Sequence, residues 1–293
     1  MLKSRLCIAF FAFAVGCAPA QKPLTDYVNP MLGTATLWDS VDLGFKPTKR
    51  TWGAEVFPGS SLPNAMVQVS PVTKFHSGAG YQYEDSVIYG FTHTNKGHWN
   101  LCHIPLLPVT GTPTPGDYCS PFSHERESAA PGYYQVFLDR YGVDAQLSST
   151  LRCAFHKYTY PAGAAASLLA DLQRSNEHVR AWDIRKEGDN VFAGWQQTGE
   201  KMYFYAVANR PVTGIEPVVE GDREVRIVRF GEGDGALELR IGFSFVSEKN
   251  ARENLEADPE ANLSAEVLDE IFDPWDFLTR KDVVFDRLNE LEF

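Results

Sequence analysis

His93, His98 and His103 stand at five-residue intervals around Trp99, Asn100 and Cys102, the most distinctive run of chemically capable side chains in the sequence. An indole such as Trp99 can stack on the apolar face of a pyranose while His93 and Asn100 hydrogen-bond its hydroxyls. That mix of aromatic body and convergent polar groups is what a sugar pocket uses. The same residues do not make a zinc site: the histidine spacing matches no recognised finger, and on a strand Cys102 and His103 point to opposite faces. The competing reading is structural, with Trp99 and His93 packed into a core or an interface, as aromatic groups at strand ends usually are.

Other chemistry is sparse. The serines show no nucleophile elbow, and no glycine-rich phosphate loop is present. Glu84-Asp85 and Glu125 to Glu127 lie beside predicted turns, with nothing in the sequence to mark any of them as desolvated, so neither cluster is expected to work as an acid and base. His124, His156 and His178 lack a partner pattern and read as ordinary surface or core residues.

These residues must be positioned by strands. From Tyr81 to Phe245 short runs of Val, Ile, Tyr, Phe and Thr alternate with Gly, Pro, Asn and Asp clusters, which predicts a large antiparallel β-sandwich. One hairpin is explicit: Tyr133 to Asp139, a turn at Tyr141-Gly142, then Val143 to Leu147, each arm with one apolar face. Further strands are predicted at Lys157–Tyr160, Ala166–Asp171, Val179–Lys186, Asn190–Gln197, Tyr203–Ala208, Glu224–Phe230 and Leu237–Val246. Helical patterns follow at Ser247–Leu255, Ser264–Phe272 and Asp282–Leu291.

With 293 residues and 44% hydrophobic content the chain can bury a substantial core. Its net charge of −11 offers no cationic surface to a phosphate backbone, which argues against nucleic acid as a partner. Much of the acidity is local: from Arg252 to Phe293 there are 13 Asp and Glu against 4 Lys and Arg. At the other end, Lys3 and Arg5 precede an apolar run from Leu6 to Val15, as in an export signal too short to span a bilayer. Two endings compete: a soluble site at Ala18-Pro19-Ala20, or a lipoprotein site in which Cys17 becomes the lipidated first residue. Either way the expected location is outside the cytoplasm, in the periplasm, on the outer membrane or at the cell surface, with membrane contact only through a lipid anchor. Cys102, Cys119 and Cys153 then allow at most one internal disulfide, and all three can equally be buried thiols.

An ordered series of motifs carries a family resemblance. Tyr27-Val-Asn-Pro-Met-Leu-Gly-Thr34, Val56-Phe-Pro-Gly-Ser60, Met66-Val-Gln-Val-Ser-Pro71, Gly80-Tyr-Gln-Tyr-Glu-Asp-Ser-Val-Ile-Tyr-Gly-Phe-Thr-His-Thr94, Pro131-Gly-Tyr-Tyr134 and Arg152-Cys-Ala-Phe-His-Lys-Tyr-Thr159 keep one order over Asp26 to Leu255. Together they resemble the N-terminal domain of glycoside hydrolase family 92 α-mannosidases. Departures are Met31 in place of an aromatic residue, Asn64-Ala65 in place of Phe-Gly, and Asn95-Lys-Gly-His-Trp-Asn100 in place of Leu-Ser-Gly.

The resemblance implies an all-β, galactose-mutarotase-like supersandwich over residues 21–255, after a signal segment at 1–20 and before an acidic, partly helical tail at 256–293. It implies mannose-containing glycans as ligands and N-glycan catabolism as the setting. The family places its general acid, its general base and a calcium ion in an (α/α)6 barrel that follows the sandwich, and this sequence stops about where that barrel should begin. The expectation is therefore a truncated or split enzyme part, with no catalytic residue, metal ligand or cofactor of its own and a separately encoded or lost barrel as partner. The rival expectation is a stand-alone glycan-binding lipoprotein. The family blocks put Met31, Gly33, Thr34, Phe57, Gly59 and Gly80 beside His93, Trp99 and Asn100 at the domain junction, where glycine lets backbone approach a ligand closely. The plain alternative for the glycines is tight turns.

Overall fold

A computed structural model describes residues 24–36, 44, 56–96, 99–233 and 235–259. The export signal with Cys17, residue His98, and the helical patterns predicted at 264–272 and 282–291 lie outside the described residues.

Two antiparallel sheets face one another. The first has seven strands in the spatial order β1 (Ser60–Ser61), β2 (Gln68–Val72), β4 (Gly90–Thr92), β7 (Leu106–Val109), β13 (Ser167–Ala170), β18 (Arg223–Phe230) and β17 (Val212–Glu220). The second has eight, in the order β14 (Ala181–Lys186), β15 (Val191–Gln197), β16 (Lys201–Ala208), β19 (Leu237–Ser244), β12 (Cys153–Thr159), β11 (Val143–Ser149), β10 (Tyr133–Leu138) and β9 (Glu127–Ala130). Two small ribbons, β3 (Val87–Ile88) with β8 (Ser120–Pro121) and β5 (Asn95–Lys96) with β6 (Trp99–Asn100), decorate the sandwich.

The period-2 pattern does the work. In β16, Met202, Phe204, Ala206 and Ala208 are all fully buried while the residues between them are partly exposed. In the β10–β11 hairpin Val136 pairs with Ala145 and Leu138 with Val143, and all four face the core. These inward faces meet Leu168 and Ile227 of the opposing sheet in one continuous apolar cluster. The large antiparallel β-sandwich expected from the sequence is therefore what forms.

The predicted strands are all present, with boundary shifts such as β12 starting at Cys153 rather than Lys157. One long strand escaped the pattern: β17 carries Pro217 and leaves most of its residues exposed. As the last strand of its sheet it has one unpaired side, where a proline costs no ladder bond. The helix α1 (Glu248–Ala257) is capped by Ser247, whose hydroxyl accepts from the Asn250 amide at 3.1 Å. Its Leu255 seals a second apolar cluster with Tyr133, Cys153 and Phe155. Cys102 and Cys153 are buried free thiols, Cys119 is a half-buried one, and burial pushes the first two well above the usual thiol range.

Phe204→Ala is expected to cost about 3–5 kcal/mol, against roughly 0.5 kcal/mol or less for Val219→Ala on the exposed edge. Urea denaturation monitored by tryptophan fluorescence measures both.

Candidate functional site

The segment that leaves the β5–β6 ribbon and enters β7 crosses one end of the sandwich, and its backbone is unusual. Cys102 and Ile104 both take positive φ, 52° and 53°, on either side of His103. A β-branched residue in this region is strained, and such strain persists only where the surroundings over-determine it. Here buried amides do so. The Asn100 side-chain oxygen accepts from the Cys102 amide at 2.8 Å, and the Gln196 side-chain oxygen accepts from the Ile104 amide at 2.8 Å. The Asn176 side chain donates to the Asn100 carbonyl at 2.6 Å.

The double turn aims His103 toward a cavity of about 390 Å³ walled by Leu101, Glu177, Thr198, Gly199, Glu200 and Phe245. The imidazole itself is 2% exposed. Its Nδ1 lies 2.9 Å from the Thr94 hydroxyl, and its Nε2 lies 3.0 Å from the Thr198 hydroxyl, which donates to a Glu177 carboxylate oxygen at 2.6 Å. A carboxylate only accepts, so Thr198 spends its proton on Glu177 and accepts from His103 Nε2–H, and Thr94 donates to Nδ1. Burial depresses the His103 pKa to about 4 against the opposing pull of Glu177, so the ring is neutral at pH 7.

Trp99 and Asn100 divide by strand alternation. Trp99 is 39% exposed and Asn100 is buried, and Trp99 is not among the residues that wall the cavity. Asn100 is fully committed to the fold: beyond the bonds above, its amide donates to Ala79 at 3.1 Å. Gly80 belongs with it, because at φ 77° a Cβ there would sit 2.7 Å from the Asn100 amide nitrogen. The structure brings these two predicted residues together as a buried joint of the fold.

The other expected contacts lie elsewhere. His93 is fully buried, its Nε2 3.1 Å from that of His156, and burial lowers its pKa to about 3. It packs 4.6 Å from the Phe243 ring inside the sandwich. Thr34 is buried and bonds back to the Met31 carbonyl at 2.7 Å, Met31 leans on the core, and Gly33 is exposed in the same turn. That turn docks on the Tyr83 amide. Phe57 is half-buried, and a Cβ on Gly59 would stand 1.8 Å from the Val69 carbonyl, so the close approach at Gly59 is to the chain's own β2. The residues that pattern reading missed are His103's partners Thr94, Thr198 and Glu177, far apart in sequence and without a motif.

One expectation about carboxylates needs correction. Glu127 lies beside a turn, yet its side chain is 1% exposed and accepts from Tyr81 and Tyr134 at 3.0 and 2.6 Å, with His124 Nδ1 at 2.6 Å. Tyr134 comes from the adjacent β10 and Tyr81 from a loop 46 residues away, so only folding desolvates it. Among the described residues no group of three or more His, Cys, Asp or Glu side chains could hold a metal ion.

The model of the glycosyl hydrolase family 92 N-terminal domain matches residues 27–252. The chain belongs to glycosyl hydrolase family 92. Among solved structures, the family GH92 α-mannosidase BT3965 from Bacteroides thetaiotaomicron superposes with a TM-score of 0.72 at 24% identity, covering 87% of this chain and 38% of that one. The same protein in complex with mannoimidazole gives 0.71. The family GH92 inverting mannosidase BT2199 from the same organism gives 0.69 at 21% identity, over 88% of this chain and 36% of that one. At these identities the likeness establishes the family 92 sandwich fold, and this chain spans little more than a third of each relative's length. No curated protein matches the sequence.

The depressed histidines set a pH dependence. Unfolded His103 titrates near 6.5 and folded His103 near 4, so between those values the unfolded chain holds more protons and stability falls as pH drops. Denaturant midpoints measured from pH 7 to pH 4 are expected to decline, and His103→Gln is expected to flatten that slope.

Proposed function

We propose that this chain supplies the sugar-receiving, non-catalytic half of an exo-α-mannosidase pocket that acts on mannose-containing glycans outside the cytoplasm. The observation that carries the reading is the His103 cavity. It combines the apolar Leu101 and Phe245 with the polar Thr198 and Glu177, and the exposed Trp99 lies two residues before Leu101 in the chain, the chemistry that suits a pyranose. Its two carboxylates, Glu177 and Glu200, are both exposed to water.

Inverting hydrolysis needs a protonated carboxyl at the leaving oxygen and a carboxylate that activates water on the opposite face. A general acid is made by desolvation, and neither Glu177 nor Glu200 has it. The deeply buried carboxyls, Glu127 and Asp171, are held by tyrosine, histidine and arginine donors. The acid, the base and any calcium therefore belong, in this reading, to a barrel packed against the sandwich. The structural relatives, an α-mannosidase bound to mannoimidazole and an inverting mannosidase, support the same substrate class. Export follows from the apolar N-terminal run, with either lipidation at Cys17 or cleavage after Ala20.

The same water-exposed carboxylates also favour a second reading, a stand-alone glycan-binding lipoprotein. Calorimetry with α-mannosides separates the two: saturable binding by the chain alone supports the second, and binding that requires an added family 92 barrel supports the first. Mannose release by the purified chain, free of contaminating enzyme, rejects both. In whichever form binds, Trp99→Ala is expected to weaken affinity about tenfold with no change in thermal midpoint.

A further inference from the structure

The connection from β13 to β14 has two sides. It lends Glu177 to the His103 cavity, and it lends Gln173, Arg174 and Arg180 to a second cavity of about 520 Å³, completed by Trp182 of β14 and Arg223 of β18. In a protein of net charge −11, three guanidinium groups lining one cavity is a local reversal of sign.

Two of the three are held in place. Arg174 lies over the rings of Phe75 and Tyr89, 4.7 and 5.1 Å from their centroids, and donates to the Tyr118 hydroxyl at 3.3 Å. Arg223 donates to the fully buried Asp171 at 2.7 Å, and the Tyr118 hydroxyl donates to the same carboxylate oxygen at 2.6 Å. Asp171 thus fixes Arg223 directly and Arg174 through Tyr118. Arg180 is exposed and makes no side-chain hydrogen bond or ion pair among the described residues. The nearby Glu224 is engaged by Arg226, whose guanidinium sits 5.1 Å from the Trp182 ring centroid.

One buried carboxylate against three guanidiniums leaves a positive excess facing the cavity, and like charges so gathered repel unless an anion joins them. Guanidinium forks match the oxygens of a carboxylate or phosphate, and a half-buried indole beside them offers a flat apolar face to a sugar ring. We propose that this second cavity is a subsite for a negatively charged sugar, whose phosphate or carboxylate is taken by Arg174, Arg180 and Arg223 and whose ring rests on Trp182. The site is separate from the His103 cavity and stands whether or not that cavity receives mannose.

The test is a calorimetric titration of the purified chain at low ionic strength with glucose 6-phosphate, glucuronate, inorganic phosphate and neutral glucose. The expected result is saturable binding of at least one charged sugar, tighter than inorganic phosphate and absent with glucose, and weakened by added salt. The stronger of the two charged sugars tells phosphate from carboxylate recognition. Arg180→Gln, which removes no structural contact, is expected to lower that affinity about tenfold at an unchanged thermal midpoint, while Trp99→Ala leaves it intact. Equal binding of glucose, inorganic phosphate as tight as either charged sugar, no saturation with any anion, or an Arg180→Gln protein that binds like the parent would each overturn the proposal.

Discussion

The segment 100–104 must cross the end of a closed sandwich without leaving main-chain donors unsatisfied in an apolar interior, and the candidate site hangs on how that is done. Asn100, Asn176 and Gln196 are buried amides that bond to backbone from neighbouring segments, replacing ladder bonds the crossing cannot make. With those bonds in place, Cys102 and Ile104 hold left-handed backbone that would otherwise relax, and His103 is turned toward the cavity. The same Gln196 amide also donates to the Leu172 and Arg174 carbonyls, so one side chain ties the His103 cavity to the loop that builds the arginine cavity.

Two histidines ten residues apart meet different fates for a physical reason. His93 follows β4 into the gap between the sheets and finds His156, so it fills space in the core. His103 follows a strained turn to the rim and finds two threonines and a glutamate. Burial keeps both neutral, and neither is poised to move a proton near neutral pH. The fold thereby uses both histidines as buried hydrogen-bonding groups that hold neighbouring segments in place.

The carboxyl groups divide in the same way. Those that are desolvated, Glu127 and Asp171, are surrounded by hydrogen-bond donors and anchor other side chains. Those that line the His103 cavity stand in water. A hydrolytic pair needs desolvation and an open face in the same place, and in the described residues the two conditions are met separately.

The sequence by itself determined the fold class, the hairpin at 133–149, the helix after Ser247 and the family, because strand alternation, turn residues and ordered motifs are local signals that survive in one dimension. It also singled out the 93–103 stretch, within which Trp99 is exposed while His93 and Asn100 are buried. It could not separate Trp99 from Asn100 or His93, because which side of a short ribbon faces water depends on what the rest of the chain packs beneath it. It missed β17, whose proline and exposed residues make sense only at a sheet edge. Only the tertiary structure decided that Glu127 is dry, that Thr94, Thr198 and Glu177 gather on His103, and that Arg174, Arg180 and Arg223 face one cavity. Each of these includes an encounter between residues tens of positions apart, such as Tyr81 with Glu127, Thr198 with His103 and Arg223 with Arg174, and spacing along a chain carries no record of such encounters.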